Sequence, residues 1–541
     1  MGRVNIAGAG LAGLSAAIHL AKAGVPCNLI SPLPSERAQS VLAEGGINAA
    51  LDTMGEHDNP AEHFADTLKG GVYLADPNAV AGLTAHAPEI VRWMFSLGTP
   101  FQMEHETLIL RNFGGQKKKR TAYSKSSTGK VLMTALIDEA RRHEAAGLIH
   151  RFSHHLAEDL KTDGDRCTGL IIRDAYTGHL LDCSGPVILC CGGMNGIFPG
   201  LTTGTVPNTG SLTALAFAKG IDLGNLEFIQ FHPTTVDIPG KRMLVSEAAR
   251  GEGGRLYILR EGRPWYFMEE KYPELGNLMP RDVVSREMIF VSRRPDCEGP
   301  VFLDLTGLPA ATWEKKLSDM REEILHYLSI DPVTTPVPVR PGIHFFMGGI
   351  LVDEAHRSSI HGLWAAGECA CQYHGANRLG GNSMLGALYG GKVAAESVTE
   401  SVKAGPSSDS DPADLGPAPA DWITARTVVP ARTEKLCAIL WEGLSIAREA
   451  EGLSAALQKM KTLLGQDLSD WERNRVLLGK AMVTSALERR ESRGAHYRTD
   501  YPERDDKNYQ KTTVAVFRNG DVSILFRPIP EGRPTVRGTA G

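Results

Sequence analysis

The sequence predicts an α/β protein with more than one domain, and three observations indicate this class. A strand-like run, Val4-Asn5-Ile6-Ala7, leads through a glycine-rich turn into a helix that is rich in alanine and leucine. Residues 301–329 have a separate α+β pattern, and residues 422–491 have the periodicity of amphipathic helices. The 541 residues also exceed the ~250–300 that one hydrophobic core supports, so at least two packed units are expected.

The composition is that of a soluble globular protein. The 58 basic and 63 acidic side chains give a net charge of −5, which disfavours a nucleic-acid partner. No apolar run approaches the ~18 residues of a membrane span, and no signal peptide precedes the first strand, so a cytoplasmic location is expected. Nine cysteines without a CxxC pair favour reduced thiols, and we predict no metal site.

The turn between the first strand and the first helix has the spacing of a dinucleotide-binding motif. Gly8 permits a tight turn, Gly10 lets the backbone approach a pyrophosphate, and Gly13 lets the helix pack against the strand. Because a helix N-terminus attracts anions, these residues are predicted to bind a cofactor. An acidic residue that would hold a ribose is expected after the second strand, but Ser31 stands there and Glu36 comes later.

Several polar motifs follow, each embedded among glycines. They are Gln230-Phe-His232-Pro, Ser246-Glu247-Ala-Ala-Arg250-Gly-Glu252, Pro280-Arg281-Asp282, His344-Phe-Phe-Met-Gly-Gly349, Gly367-Glu368 and His374-Gly-Ala-Asn-Arg378-Leu-Gly-Gly-Asn-Ser383. Together they resemble the flavoprotein subunits of succinate dehydrogenase and fumarate reductase, with the related L-aspartate oxidases next. The resemblance runs from Val4 to about Asp506, and several motifs in one order make it more specific than any single motif.

The resemblance implies a Rossmann-type FAD-binding domain with an inserted α+β capping domain, followed by a helical domain and a short C-terminal segment. The predicted boundaries are residues 1–232 and 343–401 for the two parts of the FAD-binding domain, 233–342 for the capping domain, 402–421 for a linker, 422–491 for the helical domain and 492–541 for the C-terminal segment. The substrate is expected where the capping domain meets the flavin.

The resemblance also implies which residues bind FAD. Besides Gly8, Gly10 and Gly13, they are Ser31, Gln39, Ser40, Gly45, Gly46, Glu368, Ser383 and Met384. Respiratory members attach FAD covalently through a histidine in an Arg-Ser-His-Thr segment, whereas this chain has Arg37-Ala-Gln39-Ser40. Since Gln39 cannot form that bond, noncovalent FAD is predicted. The histidyl link raises the flavin potential, so its loss favours fumarate reduction over succinate oxidation.

A dicarboxylate substrate is expected at four further residues of the matching motifs. They are His232, Ser246, His344 and Arg378, and the set is chemically sensible because two carboxylates need several donors and a cationic fork. Either histidine taken alone fits a structural role in the core, whereas the joint pattern favours substrate binding for both.

The same resemblance assigns the chemistry. Flavin N5 exchanges a hydride with one carbon of the substrate, and Arg281 donates a proton to the adjacent carbon. Arg281 is then re-protonated through Glu247 and Arg250. The alternative is a buried ion pair between Arg281 and Glu247 that only braces the capping domain.

Two other functions stay open. In L-aspartate oxidases a glutamate precedes the Gly-Gly of the substrate-side loop, but here Phe113 precedes Gly114-Gly115 and offers no partner to a desolvated ammonium group. A non-catalytic electron-transfer flavoprotein is the other, and the complete set of polar motifs counts against it.

No cysteine spacing could hold an iron–sulfur cluster in this chain. The resemblance therefore implies a separate iron–sulfur subunit and, through partner subunits, peripheral attachment to the inner face of the cell membrane. A free-standing flavoprotein that uses oxygen or a small donor is the alternative.

Overall fold

The computed structural model describes residues 3–404 and 411–532, so residues 405–410 of the predicted linker and 533–541 of the predicted C-terminal segment lie outside the described residues. The α-helices are α1 (Leu11–Lys22), α2 (Pro60–Gly70), α3 (Pro77–Ser96), α4 (Thr128–Ala145), α5 (Ser211–Ala218), α6 (Ala248–Gly251), α7 (Phe267–Lys271), α8 (Arg281–Ser292), α9 (Ala310–Lys316), α10 (Ser318–Leu328), α11 (Asn382–Ala404), α12 (Ala420–Arg426), α13 (Pro430–Leu444), α14 (Ala450–Leu464), α15 (Asp470–Glu488) and α16 (Asp506–Tyr509).

The strands up to residue 238 are β1 (Val4–Ala7), β2 (Cys27–Ser31), β3 (Ile47–Asn48), β4 (Met103–Glu104), β5 (Thr107–Leu108), β6 (Leu110–Arg111), β7 (Thr121–Ala122), β8 (Ile149–Ser153), β9 (His155–Asp163), β10 (Arg166–Asp174), β11 (His179–Ser184), β12 (Val187–Leu189), β13 (Leu223–Gly224) and β14 (Ile229–Ile238). The later strands are β15 (Lys241–Leu244), β16 (Arg255–Arg260), β17 (Arg263–Trp265), β18 (Glu298–Asp304), β19 (Val337–Phe346), β20 (Gly349–Leu351), β21 (Leu363–Ala365), β22 (Ala370–Cys371), β23 (Ala413–Pro417), β24 (Ala447–Arg448), β25 (Tyr497–Arg498), β26 (Lys511–Arg518) and β27 (Asp521–Pro528).

The first domain is built on a parallel five-stranded sheet with the order β21-β12-β1-β2-β8. Every residue of β1 and β2 is buried, as expected for strands covered on both faces. Helix α1 lies against α11, where Ser15 donates a hydrogen bond of 2.7 Å to the carbonyl oxygen of Leu388. The predicted α/β class and the predicted strand–turn–helix unit at the start of the chain are confirmed.

The capping domain contains a six-stranded sheet with the order β15-β14-β19-β18-β16-β17. Its own hydrophobic core includes Val284, Met288, Leu303 and Trp313. The long strands β14 and β19 pair with each other and also carry residues that belong to the first domain. The predicted boundaries at residues 233 and 342 fall inside these two strands, so two continuous strands join the domains.

Helices α13, α14 and α15 pack together and share one hydrophobic core with the first domain. A buried ion cluster reinforces this junction: Arg489 Nε lies 2.6 Å from Glu227 Oε1, and Arg489 Nη1 lies 2.8 Å from Glu491 Oε1. Strands β26 and β27 form a hairpin around Asn519 and Gly520, as their turn-forming dipeptide predicts.

The stretch predicted as a linker is partly regular. Within residues 402–421, β23 pairs with β11 and extends the sheet β23-β11-β10-β9. The proline-rich composition predicted an irregular segment. Prolines at the ends of a strand are nevertheless compatible with an edge position, so β23 can form here. In the part of the chain that the structure describes, no helix is long and apolar enough to cross a membrane.

Candidate active site

A cavity of about 1120 Å³ extends from the glycine turn after β1 to the junction of the first domain with the capping domain. The predicted site residues that line it are Gly8, Gly10, Ser31, Gln39, Ser40, Gly45, Gly46, Phe113, His232, Ser246, Glu247, Arg281, His344, Glu368, Arg378, Ser383 and Met384. Gly13 and Arg250 are the two predicted residues that do not line it. The cavity thus brings residues from distant parts of the sequence into one space.

The glycine turn can approach a dinucleotide only because side chains are missing there. A Cβ atom on Gly8, whose φ is +122°, would lie 2.1 Å from the carbonyl oxygen of Cys190. A Cβ atom on Gly13 would lie 1.8 Å from the carbonyl oxygen of Gly8, so Gly13 packs α1 against the turn and faces away from the cavity. Ser40 accepts a hydrogen bond of 3.2 Å from the Leu11 amide at the start of α1. This backbone fits a bound pyrophosphate.

Ser31 takes the place of the acidic residue expected at the end of β2. Its hydroxyl donates to the carbonyl oxygen of Leu33 at 2.7 Å, and its side chain lines the cavity. Glu36 is not an alternative, because it forms an exposed ion pair with Arg141 at 3.0 Å. A ribose hydroxyl would therefore meet a neutral oxygen at this strand end.

Gln39 connects the cofactor side of the cavity to the substrate side. Its Oε1 accepts a hydrogen bond of 2.5 Å from the amide of Thr205. Two residues earlier, Thr203 Oγ1 lies 2.8 Å from Nδ1 of His344. Gln39 thus holds the segment that orients His344, a predicted substrate residue.

Phe113 fills the space between two backbone segments. A Cβ atom on Gly45 would lie 3.2 Å from Cζ of Phe113, and one on Gly380 would lie 3.1 Å from Cβ of Phe113. Phe113 itself is buried. The ring therefore packs between the glycine turn at Gly45 and the loop that follows Arg378.

Glu368, Ser383 and Met384 line the same part of the cavity. Oε1 of Glu368 accepts a hydrogen bond of 3.1 Å from the amide of Phe346. Burial raises the pKa of Glu368 to about 7, so its carboxyl is only partly ionised at neutral pH. Ser383 and Met384 lie in the first turn of α11, which presents backbone amides at this end of the helix.

His232 and His344 lie side by side on the paired strands β14 and β19. Their ring centroids are 5.2 Å apart, and both rings line the cavity. Burial, followed by the charge of Arg281, holds the pKa of both histidines well below the ordinary value, so both rings are neutral. Nε2 of His232 is buried and has no hydrogen-bond partner among the described residues, so a ligand could use this nitrogen.

Arg281, Glu247 and Arg250 form a buried ion cluster at the base of the capping domain. Nε and Nη2 of Arg281 donate to Oε2 of Glu247 at 2.8 and 2.5 Å, and Nη1 donates to Oε1 of Gln230 at 3.2 Å. Nη2 of Arg250 lies 3.4 Å from Oε1 of Glu247. Burial alone would raise the pKa of Glu247, but the two arginines lower it below its ordinary value, so the carboxylate is ionised.

Arg378 supplies a further buried cation. Its guanidinium carbon lies 4.5 Å from the centroid of the Phe345 ring. Its Nε atom has no hydrogen-bond partner among the described residues. Burial, with the neighbouring charge of Arg281, lowers the pKa of Arg378 to about 9, so it is still protonated at neutral pH.

The substrate end of the cavity therefore carries a surplus of positive charge. The guanidinium groups of Arg250, Arg281 and Arg378 stand against the single ionised carboxylate of Glu247, and this leaves two positive charges. Glu368 offsets only part of this surplus. Buried charge without a counterion is costly, so such a site favours a dianion.

Sequence reasoning missed Thr203, Gln230, Arg111 and Glu44 as site residues. Gln230 stands inside a motif that had been noticed, yet its contact to Arg281 depends on the fold. Ser246 is buried beside the carboxyl group of Glu44, whose pKa burial raises to about 8. No local pattern in the sequence marks Thr203 or Arg111.

Comparisons with known proteins agree with this architecture. The FAD binding domain family model matches residues 3–384, and the fumarate reductase flavoprotein C-term model matches residues 472–533. The succinate dehydrogenase flavoprotein subunit of Bacillus subtilis is 35% identical over 560 residues, covering 95% of this chain and 93% of that protein. L-aspartate oxidase of Streptomyces coelicolor is 32% identical over 568 residues, covering 99% and 95%.

Among solved structures, a mutant of E. coli quinol fumarate reductase FrdA has a TM-score of 0.87 at 28% identity, covering 100% of this chain and 98% of that chain. The dinucleotide turn and the matching domain model define an FAD-dependent oxidoreductase. The chain belongs to the succinate dehydrogenase and fumarate reductase flavoprotein family, which has L-aspartate oxidases among its relatives.

Proposed function

We propose that the protein interconverts fumarate and succinate and works mainly as a fumarate reductase. The observation that carries this proposal is the charge balance at the substrate end of the cavity. Arg281 and Arg378 line it with Arg250 behind them, and together they outnumber the ionised carboxylate of Glu247 and the partly ionised one of Glu368. A four-carbon dicarboxylate brings two negative charges to this space. Aspartate brings an ammonium group as well and would compensate less of the positive charge.

His232, His344, Ser246 and Arg378 would hold the dicarboxylate. FAD, when bound, supplies the two-electron chemistry. The chain must then deliver a proton to the substrate, and Arg281 is the donor that we propose. A guanidinium group seldom gives up a proton, so a new one must reach Arg281 at once. In the proposed relay the carboxylate of Glu247 accepts a proton from Arg250 and passes it to Arg281, and Arg250 is then re-protonated from solvent.

Glu247 is well placed for that relay. Its Oε2 accepts two hydrogen bonds from Arg281, while its Oε1 accepts a hydrogen bond of 3.2 Å from the Gly114 amide and faces Arg250. The burial of all three charged groups excludes water, which would otherwise exchange protons with the donor.

Aspartate oxidation is the second candidate, because an L-aspartate oxidase is among the relatives. Phe113 argues against it, since the ring that packs against Gly45 and Gly380 carries no charge with which an ammonium group could pair. Anaerobic turnover with reduced viologen and fumarate, compared with aspartate plus oxygen, decides between the two. Fast aspartate oxidation without fumarate reduction would overturn the proposal.

We infer that FAD is bound noncovalently. Gln39 lacks a nucleophilic ring nitrogen, and its amide oxygen is already engaged by Thr205. Precipitation of the holoprotein in acid should therefore release all the yellow colour into the supernatant. Flavin that stays with the pellet would contradict this inference.

Electrons must reach the flavin from outside the chain. Among the described residues, no cluster of three or more His, Cys, Asp or Glu side chains could hold a metal ion. The names of relatives such as the flavoprotein subunit from Bacillus subtilis denote parts of larger complexes. We propose a separate iron–sulfur subunit as the electron donor, with peripheral attachment to the inner face of the cell membrane through partner subunits.

A further inference from the structure

Arg111 is a buried cation that the proposed reaction does not use. It lies in β6 and is 8% exposed. Its guanidinium carbon is 4.2 Å from the centroid of the Tyr123 ring and 5.3 Å from that of Phe113. Among the described residues, no carboxylate oxygen lies within 4.0 Å of it as a salt-bridge partner. The positive charge is therefore held between two aromatic faces.

The hydrogen bonds of Arg111 lead directly to the cofactor cavity. Nη2 donates to the carbonyl oxygen of Gly45 and to that of Glu44, the latter at 3.3 Å. Gly45 lines the cavity, so a single peptide group separates the guanidinium from the space where FAD binds. Nε of Arg111 is buried without a hydrogen-bond partner among the described residues, which leaves the cation incompletely satisfied.

The charges of nearby carboxyl groups favour the protonated form of Arg111, but none of these groups pairs with it directly. Glu252 pairs with Lys316 at 2.7 Å, and Glu247 pairs with Arg281 and Arg250. Glu44 is the acidic residue on the same turn, but burial raises its pKa to about 8, so it is mostly uncharged at neutral pH. Burial lowers the pKa of Arg111 only to about 10, so Arg111 keeps its proton. The turn at Gly45 thus carries one positive charge in addition to the two at the substrate end.

We propose that Arg111 is a positioning residue that fixes the Glu44-Gly45-Gly46 turn and whose charge stabilises the reduced form of the cofactor. Reduction of FAD by two electrons and one proton adds one negative charge to it, and the charge at Arg111 offsets that addition. Arg111 also stacks on Phe113, so the same side chain couples the cofactor turn to the substrate loop. The inference rests on FAD binding and not on the identity of the substrate.

The test is a potentiometric titration of the holoprotein without substrate, in the wild type, Arg111→Met and Arg111→Lys. Arg111→Met should weaken binding of reduced FAD at least tenfold more than binding of oxidised FAD. That tenfold change lowers the two-electron midpoint potential by about 30 mV. Arg111→Lys keeps the charge and should keep the wild-type potential, although FAD binds more weakly in both states.

Equal weakening of FAD binding in both redox states by both variants, with an unchanged potential, would reduce Arg111 to a purely structural role. If neither variant folds, the wild-type protein still decides. Between pH 6 and 8 its potential should fall by about 30 mV per pH unit, the slope for one proton per two electrons. A slope of about 59 mV per pH unit would mean that reduced FAD is bound uncharged, and the proposal would be wrong.

Discussion

Arg281 directs two of its nitrogen atoms at the same oxygen, Oε2, of Glu247, and both side chains are buried. This arrangement leaves Oε1 of Glu247 to the amide of Gly114 and to Arg250. A pair that only braced the capping domain would gain more from a fork in which each nitrogen met its own oxygen. The shared oxygen instead leaves Oε1 to face Arg250, the next member of the relay that we propose.

Replacement of Arg281 by glutamine should abolish most of the fumarate reduction. Loss of a general acid costs about 10²–10⁴-fold in kcat, and FAD content should be unchanged because Arg281 lies at the substrate end. The measurement is anaerobic viologen oxidation. Arg286→Gln is the matched control, since Arg286 lies on the same helix against Tyr497. A kcat within tenfold of the wild type would favour the bracing role.

Replacement of Phe113 by glutamate tests the charge balance of the cavity. The new carboxylate would stand beside Arg111 and the substrate end and lower the positive charge that favours a dianion, so the KM for fumarate should rise at least tenfold. Phe113→Leu keeps the site neutral and should preserve KM far better. The two KM values are compared by steady-state kinetics. An equal rise in both variants would show that the shape of the ring matters and not its lack of charge.

Removal of the charge on Glu247 should destabilise the protein. Glu247→Gln leaves Arg281 and Arg250 buried without their counterion, which typically costs about 3–5 kcal/mol in the free energy of unfolding. Urea denaturation of the holoprotein measures this loss of unfolding free energy. Glu252→Gln is the control, because Glu252 pairs with Lys316 near the surface and should change stability by about 0.5 kcal/mol or less. Similar values for both variants would contradict the buried ion cluster.

His63 should make stability depend on pH. Its Nε2 lies 3.0 Å from Oδ1 of Asn382, and burial lowers the pKa of His63 from 6.5 to about 3. The unfolded chain binds a proton that the folded chain excludes, so stability is lost as the pH falls below 6.5 towards 3. For this one group, the slope of the unfolding free energy against pH approaches about 1.4 kcal/mol per pH unit.

The variant His63→Gln should lose this contribution, and the difference between its unfolding free energy and that of the wild type should shrink as the pH falls. Denaturation in urea at a series of pH values from 6.5 to 4.5 measures the difference. His361→Gln is the control, because the side chain of His361 is 73% exposed. Parallel curves for wild type and His63→Gln would refute the prediction.

Local patterns predicted the strand–turn–helix unit at the start of the chain, whereas the resemblance to a known family supplied most of the candidate site residues. The turn from Gly8 to Gly13 could be predicted because its spacing, its strand and its helix are contiguous. Contacts that join distant segments could not: Thr203 meets His344 across 141 residues of sequence, and Gln230 meets Arg281 across 51. No periodicity connects such pairs, because the paired strands β14 and β19 and the packing of α8 create them.

The predicted linker, residues 402–421, is more regular than its composition indicates. A composition rich in proline and serine is typical of an irregular segment, yet part of it became the edge strand β23. Pairing with β11 supplied hydrogen bonds that composition does not report. Arg111 was missed for a related reason, since a lone arginine beside an asparagine and a phenylalanine has no signature until the turn at Gly45 folds against it.

Strands β14 and β19 cross from one domain to the other without interruption, and His232 and His344 lie near their base. Glu247 and Arg281 lie instead at the start of segments packed in the core of the capping domain. Arg281 therefore reaches the cavity from the capping domain, and its Nη1 meets Gln230 of β14 only because the two domains are in contact there. The proton donor that we propose would be in place only while that contact is made.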